Sequence, residues 1–163
     1  IASTNINDIV PQYLKTGQFI SKPSKKTISN AMDVGNPSNF ARILSLYDFD
    51  IHKIRKDIEG YSFTDEETCN IMCELYEKSG YITDPHGAVG YLGLKAYEKT
   101  HKGNFNRIFL ETAHPAKFMD IIEPVINTTI EIPERLKITL KKEKKSIFMA
   151  NDMNIFKSYL LNH

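Results

Sequence analysis

The chain has 163 residues, 41% of them hydrophobic and 25% charged, with a formal net charge of +1. That length and balance describe one ordinary globular domain able to bury a core, and they exclude a disordered or collagen-like chain. Near-neutral charge gives no electrostatic basis for binding nucleic acid or an anionic membrane. No apolar run approaches the ~20 residues of a transmembrane helix, and nothing resembles a signal peptide.

The chain opens on Ile1-Ala2-Ser3, without methionine and in the manner of a strand already under way, so a preceding segment is expected. Asn5 to Leu14 then repeats at helical spacing, with Ile6, Ile9, Val10, Tyr13 and Leu14 on one side. Asn7 is the expected N-cap and Pro11 falls in the first turn. Residues 15–26 read as an exposed loop, and residues 27–31 are short and semi-apolar. Val34-Gly35-Asn36-Pro37 is a turn that launches a helix, Asn36 capping and Pro37 first, through Phe40, Ile43, Leu44 and Tyr47. A second helix is expected from Asp50 to Glu59, closed by Gly60 at its C′ position. Tyr61-Ser62-Phe63 is strand-like. Thr64-Asp65-Glu66-Glu67 is a capping box opening a helix that Gly80 ends.

Asp84-Pro85 starts another helix reaching about Lys99. Arg107 to Glu111 reads as a buried strand running into a helix after Pro115. The pattern loosens beyond Pro124, and two helices close the chain near Glu134–Lys142 and Asp152–Leu161. Short strands alternating with helices give an α/β chain, rich in helix, with a mainly parallel sheet. The basic cluster at residues 141–145 is broken by Glu143 and reads as a solvated loop or helix end. Cys69 and Cys73, the two cysteines, share one helix face. They read as buried, reduced thiols of a cytoplasmic protein, with no metal site suggested.

Three segments concentrate chemistry-bearing residues. In Leu110-Glu111-Thr112-Ala113-His114-Pro115-Ala116-Lys117-Phe118, the Thr112 hydroxyl and the His114 ring fall at a sheet's carboxyl edge beside a helix start. Open α/β sheets bind ligands at that edge. Thr112 also reads as a cap for the helix that follows, and lone histidines such as His86 and His114 read first as structural residues. In Asp84-Pro85-His86-Gly87-Ala88-Val89-Gly90, the small residues leave one helix face free to approach another backbone or a flat ring. Asp84 is an N-cap, contributing on the order of 1 kcal/mol. Asn30, Asp33, Asn36 and Ser38 surround the Gly35 turn in Ser29-Asn30-Ala31-Met32-Asp33-Val34-Gly35-Asn36-Pro37-Ser38-Asn39-Phe40, and turn chemistry alone accounts for them.

Taken together and in this order, the three segments resemble threonine synthase, a pyridoxal-phosphate enzyme family of the tryptophan-synthase-like fold. The resemblance is to the carboxyl-terminal part of the family, is strongest up to about Phe118 and weakens afterwards. It implies a helix-rich portion of a mainly parallel-sheet fold whose N-terminal part is missing. Residues 1–125 would be the end of the cofactor-binding domain and residues 126–163 a helical extension packing on it. It further implies that the full protein binds pyridoxal 5′-phosphate, with the Thr112 hydroxyl bonded to the pyridine nitrogen. Asn5, Asn30, Asp33, Asn36, His86 and His114 would line the substrate pocket; Ser3, Asn5 and Asn7 resemble the family's strand-to-helix turn.

The Schiff-base lysine and the glycine-rich loop that grips the cofactor phosphate belong to the family's upstream part. The nearest look-alike of the lysine segment, Ser62-Phe63-Thr64-Asp65, carries threonine where lysine is required, and Lys117 falls on a helix. The implied reaction converts O-phospho-L-homoserine and water to L-threonine and phosphate, with this chain inactive alone and its partner the missing N-terminal part. A same-fold threonine or serine dehydratase and a non-catalytic interaction domain stand as alternatives.

Overall fold

A computed structural model describes residues 1–162. Ile1–Glu131 form one compact unit, and a second begins at Ile132. In the first, strand β1 (Ala2–Thr4) pairs in parallel with β2 (Gly60–Ser62), Ala2 opposite Gly60 and Thr4 opposite Ser62. Parallel strands need a crossover. Here it contains α1 (Ile9–Thr16), a 3-10 turn (Asn30–Met32), α2 (Phe40–Leu46) and α3 (Ile51–Asp57). After β2 come α4 (Asp65–Ser79), α5 (Pro85–Thr100), a 3-10 turn (Pro115–Lys117) and α6 (Met119–Ile126). The second unit contains α7 (Glu134–Leu140) and α8 (Met153–Asn162). The expected helix-rich α/β chain with a small parallel sheet is what forms.

One core is built by the crossover. Tyr13 and Leu14 of α1, Phe40 of α2 and Ile54 of α3 are buried together, and the Tyr13 and Phe40 rings meet edge to face at 5.2 Å. The other lies where α4 packs on α5 and α6, with Ile71, Met72, Val89 and Ile122 buried. Helix α5 also packs against both strands, with Gly93 seated over Ser3. Cys69 and Cys73 on α4 are free and half-buried, and Cys73 Sγ donates to the Val125 carbonyl at 3.0 Å. No helix among the described residues is long and apolar enough to cross a membrane.

Local signals placed several helix ends correctly. Thr64 Oγ1 accepts the Glu67 N–H at 3.2 Å while Glu67 Oε2 accepts the Thr64 N–H at 2.8 Å, which completes the capping box. Asp84 caps α5, accepting the His86 N–H at 2.9 Å, with Pro85 first in the helix.

Other expectations are corrected. Asn36 does not cap: Phe40 and Ala41 donate to the Pro37 and Ser38 carbonyls, and α2 starts at Phe40. Asn7 does not cap α1, because its side chain is taken up by residue 25 and Asp8 stands at the helix entry. Gly60 is not a helix terminator. Helix α3 ends at Asp57 with Ile58 extended, and Gly60 opens β2 where a Cβ would come within 2.8 Å of Pro11 Cα.

Residues 107–111 are not a strand, because a strand needs neighbours for its backbone groups and none of the described residues supplies them. Ile108 and Leu110 are 77% and 79% exposed. The segment's side chains nonetheless alternate in their contacts. Phe105 packs on Tyr97 and Phe109 on Tyr91, while Arg107 pairs with Glu98, so odd-numbered residues fasten an extended strap to α5.

Ile54, with no exposed surface, joins α3 to α1 and α2, whereas Leu46 is 78% exposed. Ile54→Ala should therefore lower unfolding stability by about 2–5 kcal/mol, and Leu46→Ala by under about 0.5 kcal/mol. Denaturant midpoints of the two variants check this. Equal losses would show that the crossover core does not organise this unit.

Candidate functional site

The start of α5 is the meeting point of three segments. Asp84 Oδ1, besides capping the helix, lies 2.7 Å from His86 Nδ1, and His86 Nε2 accepts the Ala31 N–H at 3.1 Å. With Nε2 used as an acceptor, the neutral ring carries its proton on Nδ1, directed at Asp84. The ring also packs against Phe118 at 5.0 Å. His86 thus joins the 30–32 turn, α5 and the turn after Pro115, with both nitrogens committed.

A cavity of about 440 Å³ opens beside it, lined by Ser3 of β1, Met32, His86, Gly90, Phe109 and Thr112, among others. Thr112 is exposed, and its hydroxyl has no hydrogen-bond partner among the described residues. It does not cap the following turn; His114 does, its Nδ1 accepting the Ala116 N–H at 3.1 Å.

Asn5 and Asp33 lie in a buried network rather than on this cavity's wall. The Asn5 amide nitrogen is within reach of Thr27 Oγ1 at 2.7 Å, Asp33 Oδ1 at 2.9 Å and Ser29 Oγ at 3.1 Å. Asn5 Oδ1 accepts from the Asn7 backbone and side chain, each at 2.9 Å. Asp33 Oδ2 accepts the Thr27 N–H at 3.0 Å. The network fixes the loop from residue 25 to 33 against β1, and so sets the position of Met32. Asn30, Asn36 and His114 are exposed, and none of the three lines the cavity. Of the residues expected to face the ligand, the structure brings together His86 and Thr112.

One residue at this site carried no sequence signal beyond its place at a strand end. Glu111 Oε1 accepts the Thr83 hydroxyl at 2.6 Å, and its carboxyl lies over Gly87, where any Cβ would collide with it. Glu111 as a residue remains open to solvent, but burial of its carboxyl, with Asp84 beside it, pushes that group up to about 7. For Asp84, burial pulls upward but is outweighed by hydrogen bonds from Glu111 and from the His86 N–H and ring, which hold it below the usual carboxylate range. No cluster of three or more His, Cys, Asp or Glu suited to a metal ion occurs among the described residues.

The family model described as "Threonine synthase, C-terminal" matches residues 87–160. The threonine synthase of Escherichia coli (strain K12) is 34% identical over 163 residues, covering 100% of this chain and 37% of that protein. The Haemophilus influenzae threonine synthase is 37% identical over 161 residues, covering 99% of this chain and 37% of its own length. The crystal structure of the E. coli enzyme superimposes with a TM-score of 0.80 over 99% of this chain and 37% of that one. The PLP-bound threonine synthase from Brucella melitensis, 24% identical, shares the fold with a TM-score of 0.78, over 98% of this chain and 39% of its own. The chain therefore spans just over a third of the length of the relatives it matches.

The Asn5 network gives a direct contrast with the exposed Asn36. Asn5→Ala strips a fully enclosed hub and should cost about 1–3 kcal/mol, with faster tryptic cleavage at Lys25 and Lys26. Asn36→Ala should change stability by under about 0.5 kcal/mol. Identical cleavage rates in wild type and Asn5→Ala would show that this network does not hold the loop.

Proposed function

The chain belongs with the carboxyl-terminal part of the threonine synthases, and from that premise we propose that it serves the conversion of O-phospho-L-homoserine and water to L-threonine and phosphate. On this reading the protein that carries it is a pyridoxal-phosphate-dependent lyase, and these residues form one side of its active-site cavity. The observation that carries the reading is the cavity itself, with the unpartnered Thr112 hydroxyl on one wall and the His86 ring on another.

These residues suit a flat pyridine ring. A neutral hydroxyl donates to an unprotonated ring nitrogen, whereas a carboxylate there would keep the nitrogen protonated. Thr112 is the residue that would hold the nitrogen. Gly90 keeps the face of α5 low, and Met32, Leu94 and Phe109 offer apolar contact that excludes water. When bound, pyridoxal phosphate supplies the electron sink for proton removal at the substrate's α and β carbons. His86 holds its own proton at Nδ1 against Asp84 while Nε2 binds Ala31, so its contribution is the shape and orientation of the wall. Among the described residues no lysine lines this cavity, and Lys117 lies on the exposed turn after Pro115. The reactive lysine and the phosphate grip are assigned to the remainder of the protein.

Thr112→Val removes one hydroxyl at nearly constant volume. In the full-length protein it should weaken pyridoxal-phosphate binding by about 0.5–1.5 kcal/mol, measured by cofactor titration, and lower turnover with the fold intact. Residues 1–163 alone should release no phosphate from O-phospho-L-homoserine above a cofactor-only control. Unchanged affinity and turnover in Thr112→Val, or turnover by the isolated chain, would overturn the assignment.

A further inference from the structure

The side chain of Asp84 is completely enclosed, yet α5 uses only one of its oxygens. Oδ1 takes the His86 N–H and ring, whereas Oδ2 is buried and no N–H or alcohol hydroxyl among the described residues reaches it. A buried acceptor left open in this way calls for a donor. The group beside it is the Glu111 carboxyl, seated over Gly87 and bonded by the Thr83 hydroxyl. Two adjoining carboxyl groups, one fully buried and the other seated against it, resist ionising together, and one proton between them supplies the donor that Oδ2 lacks.

Glu111 is also the last rung of the strap that carries Thr112. Residues 102–113 make no backbone hydrogen bond among the described residues, so the strap is held through its side chains. The Phe105–Tyr97, Arg107–Glu98 and Phe109–Tyr91 contacts are two aromatic pairs and one partly exposed ion pair. Glu111, at the fourth rung, makes the contact nearest to Thr112 and the one that reaches a fully buried group.

We infer that Glu111 is a positioning residue: a proton shared with Asp84 fastens the end of the strap to the start of α5 and thereby fixes Thr112 at the cavity wall. The importance of Thr112 rests on the function proposed above; the latch does not. The ionisable groups facing Glu111 are Asp84, with His86 behind it, and Tyr81.

The pH dependence has a definite sign. The pKa of Glu111 rises from 4.5 to about 7 in the latched state. Its contribution is therefore full below about 4.5, declines as pH rises to about 7, and is lost above that. Asp84 works in the opposite sense, its contribution being lost only in acid, below its ordinary 3.8.

Initial rates of tryptic cleavage of the full-length protein, normalised at each pH to an unstructured peptide of the same sequence, test the latch without cofactor or turnover. Cleavage at Arg107 is followed at about pH 5 and about pH 8, with Lys78 of α4 as the internal reference. In wild type, strap opening should increase several-fold, on the order of tenfold after discounting for partial exposure. Glu111→Gln retains a donor amide but does not titrate, and should stay protected with a flat profile. Glu111→Ala should be open at both pH values while α4 remains protected. Should either variant lose protection in α4 as well, the wild-type profile alone decides. A strap that opens no more than α4 does in wild type, or a Glu111→Gln profile that follows wild type, would overturn the inference. Failure of the protein to bind pyridoxal phosphate would count against the proposed function and leave this result standing.

Discussion

The site depends on one enclosed carboxylate. Asp84 ends the turn before α5 and satisfies the first exposed N–H of that helix. The same oxygen orients His86, which in turn binds the backbone of the 30–32 turn. The Glu111 carboxyl lies beside the same group and ties to it the strap bearing Thr112. Helix, turn and strap are thus tied to a single group that contributes almost nothing to the surface. Its desolvation is tolerated because it is hydrogen-bonded on one side and supplied with a shared proton on the other.

Around this point the two cores have separate tasks. The crossover core of Tyr13, Leu14, Phe40 and Ile54 holds β1 and β2 parallel. The contacts of α4 with α5 and α6 hold the helix that carries Asp84 against that sheet. The Asn5 network fixes the loop whose Met32 forms part of the cavity, so the polar interior shapes the site without touching it.

Legibility in the sequence followed the range of the interaction. The Thr64–Glu67 box, the Gly80 stop and the Asp84-Pro85 start are decided within a few residues, and each formed as read. Asn36-Pro37 and Gly60 have ordinary local meanings that tertiary context overrode: Gly60 sits where Pro11 leaves no room for a side chain. The apolar run of residues 107–110 read as a buried strand. The error was in supplying it with strand neighbours, when its odd-numbered side chains instead bind α5. Thr112 and His86, each in a segment with a recognisable pattern, are the two expected pocket residues that the structure brings to one cavity. Glu111 was not legible, because its role arises from Asp84, far away in sequence and silent about which residue would lie beside it.

The central claim is that the wall formed by His86 and Thr112 receives the ring of pyridoxal phosphate, and a structure of the full-length protein with that cofactor tests it most directly. The account predicts the ring in the cavity beside Gly90, its nitrogen about 2.7–3.2 Å from Thr112 Oγ1, with His86 still bonded to Asp84 and Ala31. A ring bound away from this wall, or one whose nitrogen is held by another residue while Thr112 makes no contact, would contradict it.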